Sequence, residues 1–153
     1  MEEATNAPEN DGRSVQHIRT SVAVAGGGPA GMMLGLLLAR SGIDVVVVEK
    51  HGDFLRDFRG DTIHPSTLEL MEQLGFVDEF LSLPHTRAPR LNAVIGGERV
   101  TIADFSRLPV RHRFIAFMPQ WAFLNFIVGK AGQYENFRML MNAPVAGLIA
   151  RGG

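Results

Sequence analysis

Six consecutive residues, Gly26-Gly27-Gly28-Pro29-Ala30-Gly31, constrain this chain more than any other stretch. They carry the spacing G-x-G-x-x-G on Gly26, Gly28 and Gly31. Before them, Ser21 to Ala25 is a short valine-containing apolar run that suits a buried strand. After them, Met32 to Arg40 reads as an apolar helix with Gly42 beyond its end. Asp44 then introduces Val45 to Val48, four β-branched residues suited to a parallel strand buried on both faces. Strand, tight turn, helix and strand make a βαβ unit. Each missing side chain then has a use. Gly26 permits the tight turn, Gly28 lets a pyrophosphate approach the backbone, and Gly31 lets the helix pack closely on the strand. Glycines in a turn are common. Glycines between a strand and the free N–H groups at the positive end of a helix point to a dinucleotide.

Glu49 follows Gly31 by 18 residues and closes the second strand. There an acidic side chain can accept hydrogen bonds from both hydroxyls of an adenosine ribose, and would repel a 2′-phosphate. A solvated carboxylate at a strand end is the plainer alternative. Lys50, beside it, is a further candidate contact, with a solvated amine as its plainer reading. The stretch Val22 to Ala39 is uncharged, yet its Gly-Pro cluster marks a turn rather than a membrane span.

Downstream, a charged loop from Lys50 to Asp61 precedes a helix that Pro65 opens, in which Leu68, Leu70, Met71 and Leu74 are apolar and Gly75 closes. A shorter helix from Val77 to Leu83 ends at Pro84. Leu91 to Ile95 and Arg99 to Ala103 flank Gly96-Gly97 as a hairpin, so antiparallel sheet is inserted into an α/β pattern. Pro119 to Lys130 returns to helix, and Phe137 to Met141 and Val145 to Ile149 are expected to be two more strands.

Composition narrows the function. A formal net charge of −1 offers no field to draw in nucleic acid or an anionic membrane. The absence of cysteine removes disulfides and thiolate chemistry, and the histidines lack the spacing of a zinc helix, so no metal is expected. Residues 1–19 are polar and acidic, unlike a signal or transit peptide, and read as a flexible tail; a cytoplasmic protein is expected.

NAD and FAD share the glycine fingerprint. Three blocks separate them: G-G-G-P-A-G through V-V-V-V-E-K, then R-G-D-T-I-H-P-S-T-L-E-L-M-E-Q-L-G from Arg59 to Gly75, then M-P-Q-W-A-F-L-N-F from Met118 to Phe126. Together and in this order they resemble the FAD-dependent aromatic hydroxylases, the p-hydroxybenzoate hydroxylase-like flavoprotein monooxygenases. The resemblance implies FAD as cofactor, NAD(P)H as co-substrate, O2 as oxidant and a small aromatic substrate. It implies that Arg59 reaches the FAD pyrophosphate region, where a guanidinium can donate two parallel hydrogen bonds. It implies that Gln120 lies near the ribityl chain, where an amide can both donate and accept. His64 is read as a local packing or capping residue, and Trp121 and the phenylalanines as core. Ala122 departs from an aspartate common in similar sequences, which puts hydrogen bonding there in doubt. Since the cofactor carries the hard chemistry, no side chain is assigned as catalytic.

The expected fold is therefore α/β: a Rossmann-like FAD-binding βαβ domain with an inserted antiparallel β segment, incomplete at its C-terminus. Its expected divisions are the tail at 1–19, the βαβ unit and following helices at 20–85, the inserted segment at 86–118 as the start of a substrate layer, and a return to the FAD-binding domain at 119–153. The rivals are an NAD-linked Rossmann oxidoreductase and a non-catalytic FAD-binding fragment. The substrate, the choice of NADH or NADPH, and the oligomeric state are open at this stage.

Overall fold

The computed structural model describes residues 17–55 and 61–149. In chain order the elements are β1 (Val22–Ala25), α1 (Pro29–Arg40), β2 (Val45–Val48), β3 (Thr62–Ile63), α2 (Pro65–Gln73), α3 (Val77–Phe80), β4 (Thr86–Ala88), β5 (Arg90–Ile95), β6 (Glu98–Asp104), β7 (Ile115–Phe117), α4 (Gln120–Ala131) and β8 (Phe137–Leu140).

The valine run is the centre of the molecule. β2 pairs in parallel with β1, Val22 opposite Val45, and on its other edge with β8, Val45 opposite Phe137. The order β1-β2-β8, all parallel, is that of a three-stranded unit of a Rossmann-like sheet. α1 supplies the crossover that parallel strands require. It buries Met32, Gly35, Leu36 and Ala39, the i, i+3, i+4, i+7 stripe of a helix with one apolar face. It starts at Pro29, three residues before the apolar run, because proline fixes a helical φ and has no N–H to waste in the first turn. A Cβ on Gly35 would stand 2.7 Å from Val47 Cγ2 and 3.1 Å from the Phe137 ring, so a glycine is what lets α1 lie this close to the sheet.

α4 packs on α1 and buries Phe123, Leu124, Ile127 and Ala131. Phe80 of α3 is fully buried against them, edge-on to Phe123 and Phe126. Two antiparallel sheets complete the architecture. β7 lies between β3 and β4, and β5 pairs with β6 around Gly96 and Gly97, whose φ values of +61° and +89° suit a tight hairpin turn. The hairpin expected from sequence is thus present, two residues longer on β6 and one on β5. No helix of the described residues is long and apolar enough to cross a membrane.

Two expectations are corrected. Val145 to Ile149 is not a strand: no described strand runs alongside it, and Leu148 is 99% exposed. A valine-containing run without a partner has nowhere to send its N–H and C=O groups except water. Trp121 is not core but 42% exposed. It sits roughly a quarter-turn off the buried stripe of α4.

Candidate functional site

The glycine turn is shaped by close approach. Gly26 has φ +106°, which L side chains rarely adopt, and its N–H donates to the Val48 carbonyl at 2.8 Å, tying the turn to the end of β2. A Cβ on Gly31 would fall 2.0 Å from the Gly26 carbonyl oxygen, so the first turn of α1 rests on the turn that precedes it. Gly28 is different. A Cβ there would meet no heavy atom within 4 Å, and the residue lines a cavity of about 310 Å³ with Gly27, Pro29, Glu49, Phe54 and Gln120. Above this cavity starts α1, with no side-chain cap and no acidic residue in its first turn. Ala30 and Gly31 stand in that turn, where N–H groups have no partner within the helix.

Glu49 is 5% exposed. Its Oε2 accepts the Gly27 N–H at 2.8 Å and its Oε1 the His51 N–H at 3.0 Å. The carboxylate is therefore a brace inside the turn as well as a wall, and the solvated-carboxylate alternative does not describe it. It also borders a second cavity, about 270 Å³, with Ala25, Gly26, Val48, the exposed Lys50 and Ala143. That cavity is closed by the chain leaving β8, where the Ala143 N–H donates to the Glu49 carbonyl at 2.8 Å and Asn142, at φ +55°, to the His51 carbonyl at 3.0 Å.

Gln120 opens α4 and faces both the Gly28 cavity and a third one, about 260 Å³, among Pro29, Ala30, Met33, Thr67 and Phe123. Its backbone N–H donates to Asp61 Oδ1 at 3.2 Å. Despite Ala122, the start of α4 closes on itself through the Ala122 N–H and the Pro119 carbonyl, 2.9 Å apart. The structure thus brings Gly26, Gly28, Pro29, Ala30, Glu49, Lys50 and Gln120 to the lining of three neighbouring cavities at one end of the parallel sheet, with Gly31 in the first turn of α1 beside them. Arg59 lies outside the described residues. His64 is the N-cap of α2, with no side-chain cap bond, and lines none of these three cavities. Sequence reasoning missed Gly27, Phe54 and Asp61. Gly27 and Asp61 stand inside the quoted blocks, but their partners are 22 and 59 residues away. Phe54 carries no local signal.

Residues 19–152 match the family described as FAD binding domain. The chain belongs to this family, that of the FAD-dependent aromatic hydroxylases. Its cofactor is FAD, which sets aside the NAD-linked reading of the same glycines. The 6-methylpretetramide 4-monooxygenase of Streptomyces rimosus is 30% identical over 134 residues, which span 88% of this chain and 32% of that protein. The p-hydroxybenzoate hydroxylase of Acinetobacter baylyi is 39% identical over 77 residues, 47% of this chain and 19% of that protein. Among solved structures, the OxyS anhydrotetracycline hydroxylase from Streptomyces rimosus superimposes with a TM-score of 0.75 at 26% identity, covering 88% of this chain and 26% of that one. The p-nitrophenol 4-monooxygenase PnpA from Pseudomonas putida gives 0.73 at 25% identity, covering 84% and 33%. This FAD-binding chain therefore spans about a third or less of the length of these relatives. Its residues fit the cofactor: an open floor at Gly28, an uncapped helix start for an anion, and an amide beyond it.

Proposed function

We propose that this chain is the FAD-binding portion of a flavin-dependent monooxygenase that hydroxylates a small aromatic or similarly activated substrate with NAD(P)H and O2, in the cytoplasm. The open ground over Gly28, beneath the uncapped start of α1, carries this reading. The helix dipole and the N–H groups of Ala30 and Gly31 would hold the pyrophosphate there. Glu49 and Lys50 face the adenosine side, Glu49 accepting from ribose hydroxyls. Gln120 would meet the ribityl chain, and the resemblance assigns Arg59 to the pyrophosphate. When bound, FAD would pass two electrons from NAD(P)H to O2, one oxygen atom going to the substrate and the other leaving as water. The chain's own residues bind, orient and shield; none is assigned a proton. The inserted segment, residues 86–118, begins the layer that meets the substrate.

Calorimetric titration with FAD and with NAD tests the assignment. FAD is expected to bind more tightly, since Gln120 and Arg59 extend the site past the adenosine half. Tighter binding of NAD would overturn it.

A further inference from the structure

We propose that Asp61 is a positioning residue for FAD: its carboxylate fixes Gln120 at the start of α4 and, through Gln120, sets how the ligand beyond the pyrophosphate is held. The inference rests on the placement of Gln120 argued above. α4 has no cap of its own, because its N-cap is Pro119, which has no side-chain acceptor. The acceptor comes instead from Asp61, 59 residues earlier, whose Oδ1 takes the Gln120 N–H at 3.2 Å. The backbone delivers it there. The Met118 N–H donates to the Asp61 carbonyl at 3.0 Å, and Thr62 pairs with Phe117 in the β3–β7 ladder. These backbone bonds do not need the carboxylate, so the side chain can be changed while the ladder that places residue 61 stays.

Asp61 lines neither of the two cavities that Gln120 faces. It lines a separate cavity with Thr62, Phe117, Met118 and Pro119, of which Thr62 also lines the cavity that Gln120 shares with Phe123. It therefore acts one residue removed from the ligand. The two helix starts at the site divide the work. α1 is left without an acidic or capping side chain, open to an anion, whereas α4 is already satisfied by an anion of the protein. The Asp61 charge favours that end of α4, and closes it to phosphate, leaving the Gln120 amide to meet a neutral, hydroxyl-bearing part of the ligand.

The test is calorimetric titration of the full chain with FAD and with ADP, which ends before the ribityl chain. Asp61→Ala is expected to weaken FAD by roughly three- to tenfold, the scale of a lost helix cap, and to leave ADP within about twofold. Asp61→Asn should restore FAD binding, because its amide oxygen accepts the same N–H. The Asp61→Ala, Gln120→Ala double variant should bind FAD no more weakly than Gln120→Ala alone. Should Asp61→Ala fail to fold, Asp61→Glu, which keeps the charge but carries the carboxylate past the N–H, should show the same selective loss. A parent chain that binds FAD no more tightly than ADP overturns the placement of Gln120 and this proposal with it. A parent that does, with variants that lose FAD and ADP equally, lose neither, or are not rescued by Asn, overturns the proposal alone.

Discussion

Glu49 and the glycines around it separate two effects that mutagenesis usually confounds. Both oxygens of the buried carboxylate accept backbone N–H groups, from Gly27 and from His51. In Glu49→Gln one of those donors faces an amide NH2, and leaving it unsatisfied costs about 1 to 3 kcal/mol. The variant is therefore expected to melt several degrees lower, as well as to bind FAD more weakly; unchanged thermal melting would show that the brace contributes nothing. Gly28→Ala and Gly31→Ala should divide in the opposite way. A methyl at 28 meets no heavy atom of the described residues within 4 Å, so the variant should melt like the parent and lose FAD affinity, whereas at 31 it meets a carbonyl oxygen at 2.0 Å and should lower the melting temperature severely. The strand-turn-helix at the glycines and the place of Glu49 at the end of β2 were legible in the sequence because each follows from neighbouring residues. The Gly27 and Asp61 bonds were not, since each joins residues that only the folded chain brings together.

At the scale of elements, α2 is tied to the loop before β7 by one carboxylate. Glu72 accepts from Arg111 Nη1 at 2.5 Å and lies 3.0 Å from His112 Nε2. The hydrogen bond from Arg111 holds its carboxyl below the ordinary glutamate range, with His112 adding to this against a partial desolvation. A carboxyl held lower in the folded than in the unfolded chain contributes stability above the ordinary range and loses it as pH falls through the folded value. Thermal melts of the parent and of Glu72→Gln should thus differ at neutral pH and converge on acidification; a gap that persists well below the glutamate range would show that the pair is not its source. Long periodic elements were readable: α1, α2 and α4 follow the 3.6-residue apolar period, and β2 its valine run. The strands β3, β4 and β7, two or three residues each, have no period to read and exist because β7 offers both edges to partners. The same dependence on a partner explains why Val145 to Ile149, valine-bearing in sequence, is not a strand.

Across the whole molecule, the apolar surface is unevenly covered. Ala23 and Ala25 stand exposed on the face of β1 turned away from α1. The hairpin shows Val94 at 73% exposure together with Ile95 and Ile102, and Trp121 stands exposed in the first turn of α4. The relatives that share this FAD-binding fold are about three or more times as long as the part that this chain matches. Among the described residues the candidate cavities are walled by α1, α2, β3, α4, the β2 end and the chain leaving β8. Oxygen transfer needs a site from which water is excluded, since a reactive intermediate open to water decays without reaching its target. The purified 153-residue chain, supplied with FAD, NAD(P)H and O2, is therefore expected to bind FAD but to form no hydroxylated product from a panel of phenols. Any NAD(P)H oxidation should be independent of the phenol added. Measuring NAD(P)H consumption and product side by side checks this: substrate-dependent product at roughly 1 per second or more, the ordinary range of an enzyme, would show that these residues suffice to enclose the reaction.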